Sequence, residues 1–369
     1  MPEQRTKIGI VGCGKISGIY FASGKNFNNI EVVACADMIM ERAKAEAERH
    51  GVAKALTVEQ LLNDPDVEIV VNLTIPIAHA EIAIAALQAG KHVYGEKPFA
   101  VTRAQGKEII ELASKKGLRV GCAPDTFLGS GHQTCRRLID EGVIGEPIAA
   151  AAFMLGHGHE SWHPDPEFYY AKEGGGPMMD MGPYYITALV NMIGGVKSVS
   201  GSARITFPER TITSEKKRGT KIVVGTPTHL AAVLDFANGA IATLVTSFDV
   251  WAHHTPNIEV YGTEGSLRVP DPNGFGGNVE VWTANKREWE EAPTTHGYTG
   301  ARGLGVSDMA AAIRSGRAHR ANGALAYHVL DVMQGTLDAA ASGRRYNTEY
   351  IVERPSALPT GLEEGEIDI

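Results

Sequence analysis

Between residues 7 and about 124 the chain alternates short β-branched runs with helical stretches. Strands are expected at Lys7–Val11, Val32–Ala36, Val67–Leu73, His92–Tyr94 and Leu118–Gly121. They are nearly all apolar, as strands are when both faces of a sheet are covered. Strand and helix in strict alternation imply a parallel sheet with right-handed crossovers. Helix boundaries are legible between them. Thr57-Val58-Glu59-Gln60 and Thr102-Arg103-Ala104-Gln105 read as capping boxes, with a hydroxyl at the cap and an amide three residues on. Ala78–Ala89 repeats apolar residues at helical spacing and stops at Gly90.

After about residue 125 the rhythm changes. One helical stretch, Ser130–Glu141, leads into strands expected at Ile148–Leu155, Val196–Phe207, Lys221–Val224, His229–Phe236, Ala240–Phe248, Ile258–Tyr261 and Val279–Thr283. Asn238-Gly239 is a hairpin signal, and the spacing implies a largely antiparallel sheet. Helices are expected near Val306–Ser315 and Leu325–Ala341, and the acidic tail Gly361–Ile369 is expected to fray. The reading is therefore an α/β domain over 1–124 and an α+β domain over 125–369.

The first strand runs into Gly12-Cys13-Gly14-Lys15-Ile16-Ser17-Gly18. Two glycines allow a tight turn and a close approach to a pyrophosphate, whose charge then faces the amides of the next helix start. Gly12, Gly14, Lys15 and Ile16 are the cofactor contacts expected there. The pattern departs from the Rossmann fingerprint G-x-G-x-x-G, because Ser17 holds the third glycine position. Asp37 follows the second strand about 20 residues on, where an acid meets the adenosine ribose. A carboxylate there repels a 2′-phosphate, so NAD is favoured over NADP; Arg42 moderates that preference.

Charge bounds the partners. The formal net charge is −8 with no long basic run, which argues against nucleic acid and anionic membrane. No apolar run approaches the roughly 18 residues that cross a bilayer. Cys13, Cys35, Cys122 and Cys135 form no CxxC pair and fit reduced thiols. A strand-like run as early as Lys7 leaves little room for a secretory signal, so a cytoplasmic location is expected.

Three further motifs carry a resemblance. Thr74-Ile75-Pro76-Ile77-Ala78-His79, Gly95-Glu96-Lys97-Pro98 and Gly174-Gly175-Gly176-Pro177-Met178-Met179-Asp180-Met181-Gly182-Pro183-Tyr184 resemble signatures of the Gfo/Idh/MocA oxidoreductases. The resemblance implies a Rossmann domain followed by a domain with a large open sheet, often buried in a homodimer or homotetramer interface. It also implies sugar or polyol substrates and NAD or NADP as cofactor. Carried over, Lys97 matches the catalytic lysine and Glu96 the residue beside the nicotinamide. Thr74, Pro76 and His79 match the loop flanking the cofactor, and Asp180 the substrate-binding aspartate. Many members have histidine four residues after that aspartate; here Tyr184 stands there, as in glucose–fructose oxidoreductase-like members.

Hydride transfer from a secondary alcohol requires a group that accepts the hydroxyl proton and steadies alkoxide charge, and a lysine beside the cofactor does both. Helical spacing stacks Asp180 and Tyr184 on one face, where a phenol can relay a proton and a carboxylate can fix a hydroxyl. Lys97, Tyr184 and Asp180 are the catalytic set expected. The stretch His157-Gly158-His159-Glu160-Ser161-Trp162-His163, with His253-His254, invites a zinc reading, but it lacks an H-E-x-x-H helix and the resemblance implies no metal. His157, Trp162, His163, Tyr169 and His254 are read instead as substrate-pocket residues, with Asp125 just past the last Rossmann strand. Two other functions fit the same scaffold: a glycosidase acting by transient oxidation through NAD, and a non-catalytic sensor.

Overall fold

In the computed structural model, which describes residues 5–297, 302–363 and 365–368, the chain divides into two units. The first comprises residues 1–133, 295–327 and 355–369, and the second 134–294 and 328–354.

The first unit is built on β1 (Thr6–Val11), α1 (Ser17–Asn26), β2 (Ile30–Ala36), α2 (Met40–His50), β3 (Lys54–Leu56), α3 (Val58–Leu62), β4 (Ile69–Asn72), α4 (His79–Gln88), β5 (His92–Gly95), α5 (Arg103–Lys116) and β6 (Val120–Cys122). Its sheet has the order β3-β2-β1-β4-β5-β6 and every pair is parallel. This is the doubly wound order whose reversal, between β1 and β4, opens a ligand crevice at the carboxyl ends of the strands. β3, three residues long and half-buried, escapes the sequence reading because nothing in Lys54–Leu56 exceeds a turn in apolar content. The Thr57 capping box forms in full. At Thr102 only half forms: the hydroxyl accepts from the Gln105 amide, while Gln105 Oε1 is buried without a hydrogen-bond partner among the described residues.

The second unit follows α6 (Ser130–Asp140) with β7 (Pro147–Leu155), α7 (Gly176–Ile193), β8 (Val196–Arg204), β9 (Glu209–Thr211), β10 (Lys221–Val223), β11 (His229–Phe236), β12 (Ile241–Ser247), β13 (Ile258–Gly262), β14 (Gly265–Val269), β15 (Glu280–Thr283) and β16 (Trp289–Glu291). Past α8 (Leu304–Ser315), which belongs to the first unit, α9 (Gly323–Ser342) leads to the short β17 (Tyr346–Asn347), which closes the sheet. Nine strands run β16-β15-β14-β13-β7-β12-β11-β8-β17, antiparallel except for β7 with β12. Burial alternates along β11 and β12, so α7 packs on one face while the other exposes Ala231, Val233, Ile241 and Thr243. Register sets Ser200, Val233, Thr243, Ala151 and Glu259 in one row across that second face. α7 is buried along almost its whole length, and each large apolar side chain it buries contributes about 1.5–3 kcal/mol.

Two expectations change. The strand foreseen over Val196–Phe207 stops at Arg204, and Lys221–Val223 leaves the large sheet to pair with β9 in a separate two-stranded ribbon. The tail does not simply fray: Asp368 accepts from Arg320 at 2.8 Å through both carboxylate oxygens, while Glu364 and Ile369 lie outside the described residues. Among the described residues no helix is long and apolar enough to cross a membrane.

His319 makes the first unit sensitive to acid. Its Nε2 donates to the Val120 carbonyl of β6 at 3.0 Å, and burial lowers the imidazole to about 4. The unfolded ring titrates near 6.5, so stability present above about pH 6.5 is lost as pH falls towards 4, up to about 3 kcal/mol. His319→Gln should flatten the decline in urea-unfolding stability between about pH 7 and pH 4.5; equal declines in both proteins would refute this.

Candidate functional site

Register assembles the first group of residues. Val11, Ala36, Asn72, Gly95 and Cys122 pair across β2, β1, β4, β5 and β6. The positions just beyond them, from Gly12 and Asp37 to Thr74 and Lys97, therefore share the carboxyl edge of the sheet.

At Gly12 φ is +100°, and a Cβ would lie 2.7 Å from the Leu73 carbonyl carbon and oxygen, so only glycine fits. Gly14 differs: an added Cβ would meet nothing within 4 Å. The start of α1 has no side-chain cap, although the Ser17 and Ile19 amides donate back to the Gly14 and Ile16 carbonyls at 3.1 and 3.3 Å. Ser17 takes the third glycine position without obstruction, because its buried hydroxyl donates back to the Gly14 carbonyl at 2.7 Å. Lys15 is exposed and Ile16 half-buried beside it. A pyrophosphate fits this open turn and helix start.

Asp37 shapes the turn directly. One carboxylate oxygen accepts from the Cys13 amide at 2.8 Å and the other from the Ile39 amide at 2.9 Å. Met38 is 93% exposed and Ile75 67%, which puts bare apolar side chains on the loops that follow β2 and β4. The sequence reading passed over both; their signal is an apolar residue next to a loop ligand, which only exposure makes meaningful.

Behind the Thr74 loop lies Asn72, 1% exposed and also unforeseen. Its Oδ1 accepts from the Thr74 hydroxyl at 2.7 Å, and its Nδ2 donates to the His79 carbonyl. Pro76 begins the short turn into α4. His79 is buried, with Nδ1 2.7 Å from the Pro98 carbonyl and Nε2 2.9 Å from the Thr74 carbonyl. Burial holds the imidazole below the ordinary histidine range, so the neutral ring donates to one carbonyl at a time. His79 thus ties the Thr74 loop to the Lys97-Pro98 turn.

Glu96 is 8% exposed, and its oxygens accept from the Tyr20 hydroxyl at 2.8 Å and the Lys97 amide at 3.0 Å. Burial, and then the Glu96 charge, push the Tyr20 phenol well up, so it remains a donor. Arg302 approaches the same carboxylate at 3.9 Å. Lys97, half-buried, lies two residues past β5. Asp125 is fully buried and accepts from the Gly303 and Gly305 amides at 3.0 Å each, so its carboxylate braces the start of α8. Burial raises its pKa, and those amides oppose the rise.

In the second unit the expected residues gather around one that the site reading left out. Asp180, on the second turn of α7, lies 3.1 Å from His159 Nε2. Around the His159 ring stand Tyr169 at 4.0 Å, Phe248 at 4.7 Å and Trp162 at 5.2 Å between centroids. His163 packs edge-on against Trp162 and Tyr169, and its Nδ1 accepts from the Asp165 amide. His159 lies past the end of β7, in a connection with no strand periodicity, so the sequence carries no signal that separates it from its neighbours. Tyr184 is buried one turn after Asp180, and Tyr185 donates to the Phe153 carbonyl at 3.3 Å. His157 stacks on Trp251, whereas His254 is exposed on the loop beyond β12. Gly175 and Gly176 are needed for close approach to the chain itself, against Ala171 and Pro227. Among the described residues no three His, Cys, Asp or Glu side chains converge as a metal site.

Known proteins resemble this chain in sequence and fold. Residues 6–123 match the model of an oxidoreductase family with an NAD-binding Rossmann fold, and residues 132–268 match the GFO/IDH/MocA C-terminal domain. A 1,5-anhydro-D-fructose reductase of Ensifer adhaerens is 36% identical over 39% of this chain and 44% of its own length. The matches to the inositol 2-dehydrogenases likewise span 44% of those proteins, less than half. A dTDP-3,4-didehydro-2,6-dideoxy-α-D-glucose 3-reductase of Actinomadura kijaniata is 30% identical over 71% of this chain and 73% of its own. The crystal structure of an NAD binding oxidoreductase from Klebsiella pneumoniae has the same fold, with a TM-score of 0.81 over 94% of this chain and 99% of that one at 22% identity.

Gly12→Ala combines left-handed strain with a clash against backbone and should cost about 2 kcal/mol or more. A urea midpoint equal to that of the unsubstituted protein would show that the turn tolerates a side chain.

Proposed function

Because the chain belongs to the Gfo/Idh/MocA oxidoreductases, with their NAD-binding Rossmann fold, we propose that it transfers a hydride between NAD and a secondary alcohol or carbonyl of a sugar, polyol or sugar derivative. One observation carries this reading. Sheet register lines up an open glycine turn, an acid and a half-buried lysine along one edge, at the point where strand order reverses.

Dinucleotide binding is assigned to the segment 1–124, which lies within the first unit, and substrate binding and oligomerisation to residues of 125–369, most of which form the second unit. Gly12, Gly14, Lys15 and Ile16 hold the pyrophosphate. Asp37 receives the adenosine ribose, and its carboxylate makes NAD the cofactor in preference to NADP. Exposed Met38 and Ile75 give the adenine apolar cover. Thr74, Pro76 and Glu96 flank the nicotinamide, with His79 bracing the loop between them. Bound NAD supplies the hydride acceptor or donor. Lys97 as the neutral amine takes the hydroxyl proton during oxidation and returns it during reduction, and Tyr184 is assigned as a second proton-handling group. Asp180, oriented by His159, accepts hydrogen bonds from a substrate hydroxyl, and Trp162, His163 and Tyr169 cover the sugar's apolar face. Four buried, unpaired cysteines suit a reducing, cytoplasmic compartment.

Mass spectrometry of the nucleotide released from the purified protein, followed by a polyol and aldose panel monitored for NADH, tests the reading. Lys97→Ala should lower kcat/KM by about 10³-fold with NADH affinity retained. Full activity in that variant, or no bound nucleotide together with no turnover on any sugar or polyol, would defeat it.

The face of the nine-stranded sheet that exposes Val233, Ile241 and Thr243 is assigned to self-association as a homodimer or homotetramer. Thr243, exposed at its centre, carries the test. Thr243→Arg should convert an oligomeric mass in light scattering to that of one chain, whereas a one-chain mass for the unsubstituted protein would exclude the interface.

A further inference from the structure

The insertion between β8 and β11 plays no part in either group of residues described above. It forms the β9–β10 ribbon, and Ile212, Ile222 and Val224 pack with Tyr170 and Phe248 into a small core beneath it. Arg210 of β9 anchors the ribbon from a side chain only 3% exposed. Its guanidinium donates to the carboxylates of Glu160 and Asp249 and to the carbonyls of His157 and Phe248. The other oxygen of Glu160 accepts from the Tyr170 hydroxyl. Multiple charge-assisted bonds to a planar cation hold this floor in one geometry.

Between the ribbon and the segment that follows β7 lies a cleft of about 570 Å³. Glu160 and Arg210 form its polar floor, and His157, Phe207 and Trp251 form its walls. The His157 ring stacks on the Trp251 indole, with Phe207 edge-on to it at 6.3 Å. Trp251 is nonetheless 81% exposed and Phe207 40%. Gly158, at φ +87°, threads beneath the Tyr170 hydroxyl, where a Cβ would lie 2.1 Å away. One tight segment therefore turns His159 to Asp180 and turns His157 and Glu160 to the cleft.

Shape and charge together define the occupant. Flat aromatic walls over a few fixed polar groups suit a ring with one apolar face and peripheral hydroxyls. The floor sets one guanidinium against two carboxylates, so it offers no spare positive charge to an anion. We propose that this cleft is a second sugar subsite, which takes a neutral glycosyl unit attached to the sugar held at Asp180 and His159. The identity of that first sugar site rests on the oxidoreductase reading above. The substrate is then a neutral disaccharide or longer glycoside, and a free monosaccharide fills only half of the binding surface.

Titration calorimetry on the whole NAD-loaded protein tests this with glucose, cellobiose, maltose, lactose and cellobiouronic acid as probes. At least one neutral disaccharide should bind about tenfold tighter than glucose. Trp251→Ala, which removes an exposed side chain, should abolish that advantage and leave glucose affinity within about twofold, with Phe207→Ala acting in the same direction. Cellobiouronic acid should bind about tenfold more weakly than cellobiose. No advantage for any disaccharide, an equal loss for glucose and disaccharides in Trp251→Ala, or preference for the uronic acid would each overturn the subsite. A parallel assay of NADH separates the two readings. Trp251-dependent disaccharide binding without NAD-linked turnover of any sugar leaves the subsite standing and removes the oxidoreductase. NAD-linked turnover of sugars with no Trp251-dependent advantage for any disaccharide does the reverse.

Discussion

Parallel register is the constraint on which the first unit depends. Val11, Ala36, Asn72, Gly95 and Cys122 form one row, so residues far apart in the chain leave the sheet together at its carboxyl edge. Four backbone bonds continue the row one step further: Gly12 to Ala36, Leu73 to Val11, Glu96 to Asn72 and Ala123 to Gly95, at 2.8–2.9 Å. A one-residue slip of β5 would turn every side chain in it to the opposite face and move Lys97 off this edge.

Charge at this edge is closely confined. Glu96 is held by Tyr20 and by the Lys97 amide, Asp125 by two amides at the start of α8, and Asp37 by the amides of Cys13 and Ile39. Each acid is thereby fixed to backbone or to a donor that stays protonated, since burial raises the Tyr20 phenol. Carboxylates accepting several amide bonds are rigid, so they hold the loops around Lys97 in one arrangement. Asp125 illustrates the difference between a ligand and a brace: it lies in the right part of the chain for the first and in the right contacts for the second.

Much of this was legible in the sequence where local chemistry and long-range packing agree. The alternation of elements, the Thr57 capping box, the Asn238-Gly239 hairpin and the antiparallel character of the second sheet all follow from spacing and turn residues. The short strands β9, β14, β16 and β17 did not, because polar residues such as Glu209, Arg210 and Arg268 break their apolar pattern and pairing partners alone define them. The same holds for the candidate sites. Gly12, Asp37 and Lys97 announce themselves through motif and position. Asn72, His159 and Arg210 become visible only through what they touch, because an asparagine, a histidine or an arginine in isolation carries no partner with it.

The two units also gain their chemistry from different parts of their frameworks. Residues of the first site stand at the ends of paired strands, where hydrogen bonding to neighbours fixes them. His157, His159, Trp162, His163 and Tyr169 come instead from the connection between β7 and α7, and Phe207 and Arg210 from an insertion between two sheet strands. Connections tolerate change in sequence and length far better than paired strands do. A scaffold divided in this way can change the lining of its second group of residues by rebuilding a loop or a ribbon, while the glycine turn, Asp37 and Lys97 stay fixed by register. The buried contacts of Arg210 with Glu160 and Asp249 show how an insertion becomes part of the framework once acquired: removing the guanidinium would leave two carboxylates, 11% and 6% exposed, facing one another without a counter-charge.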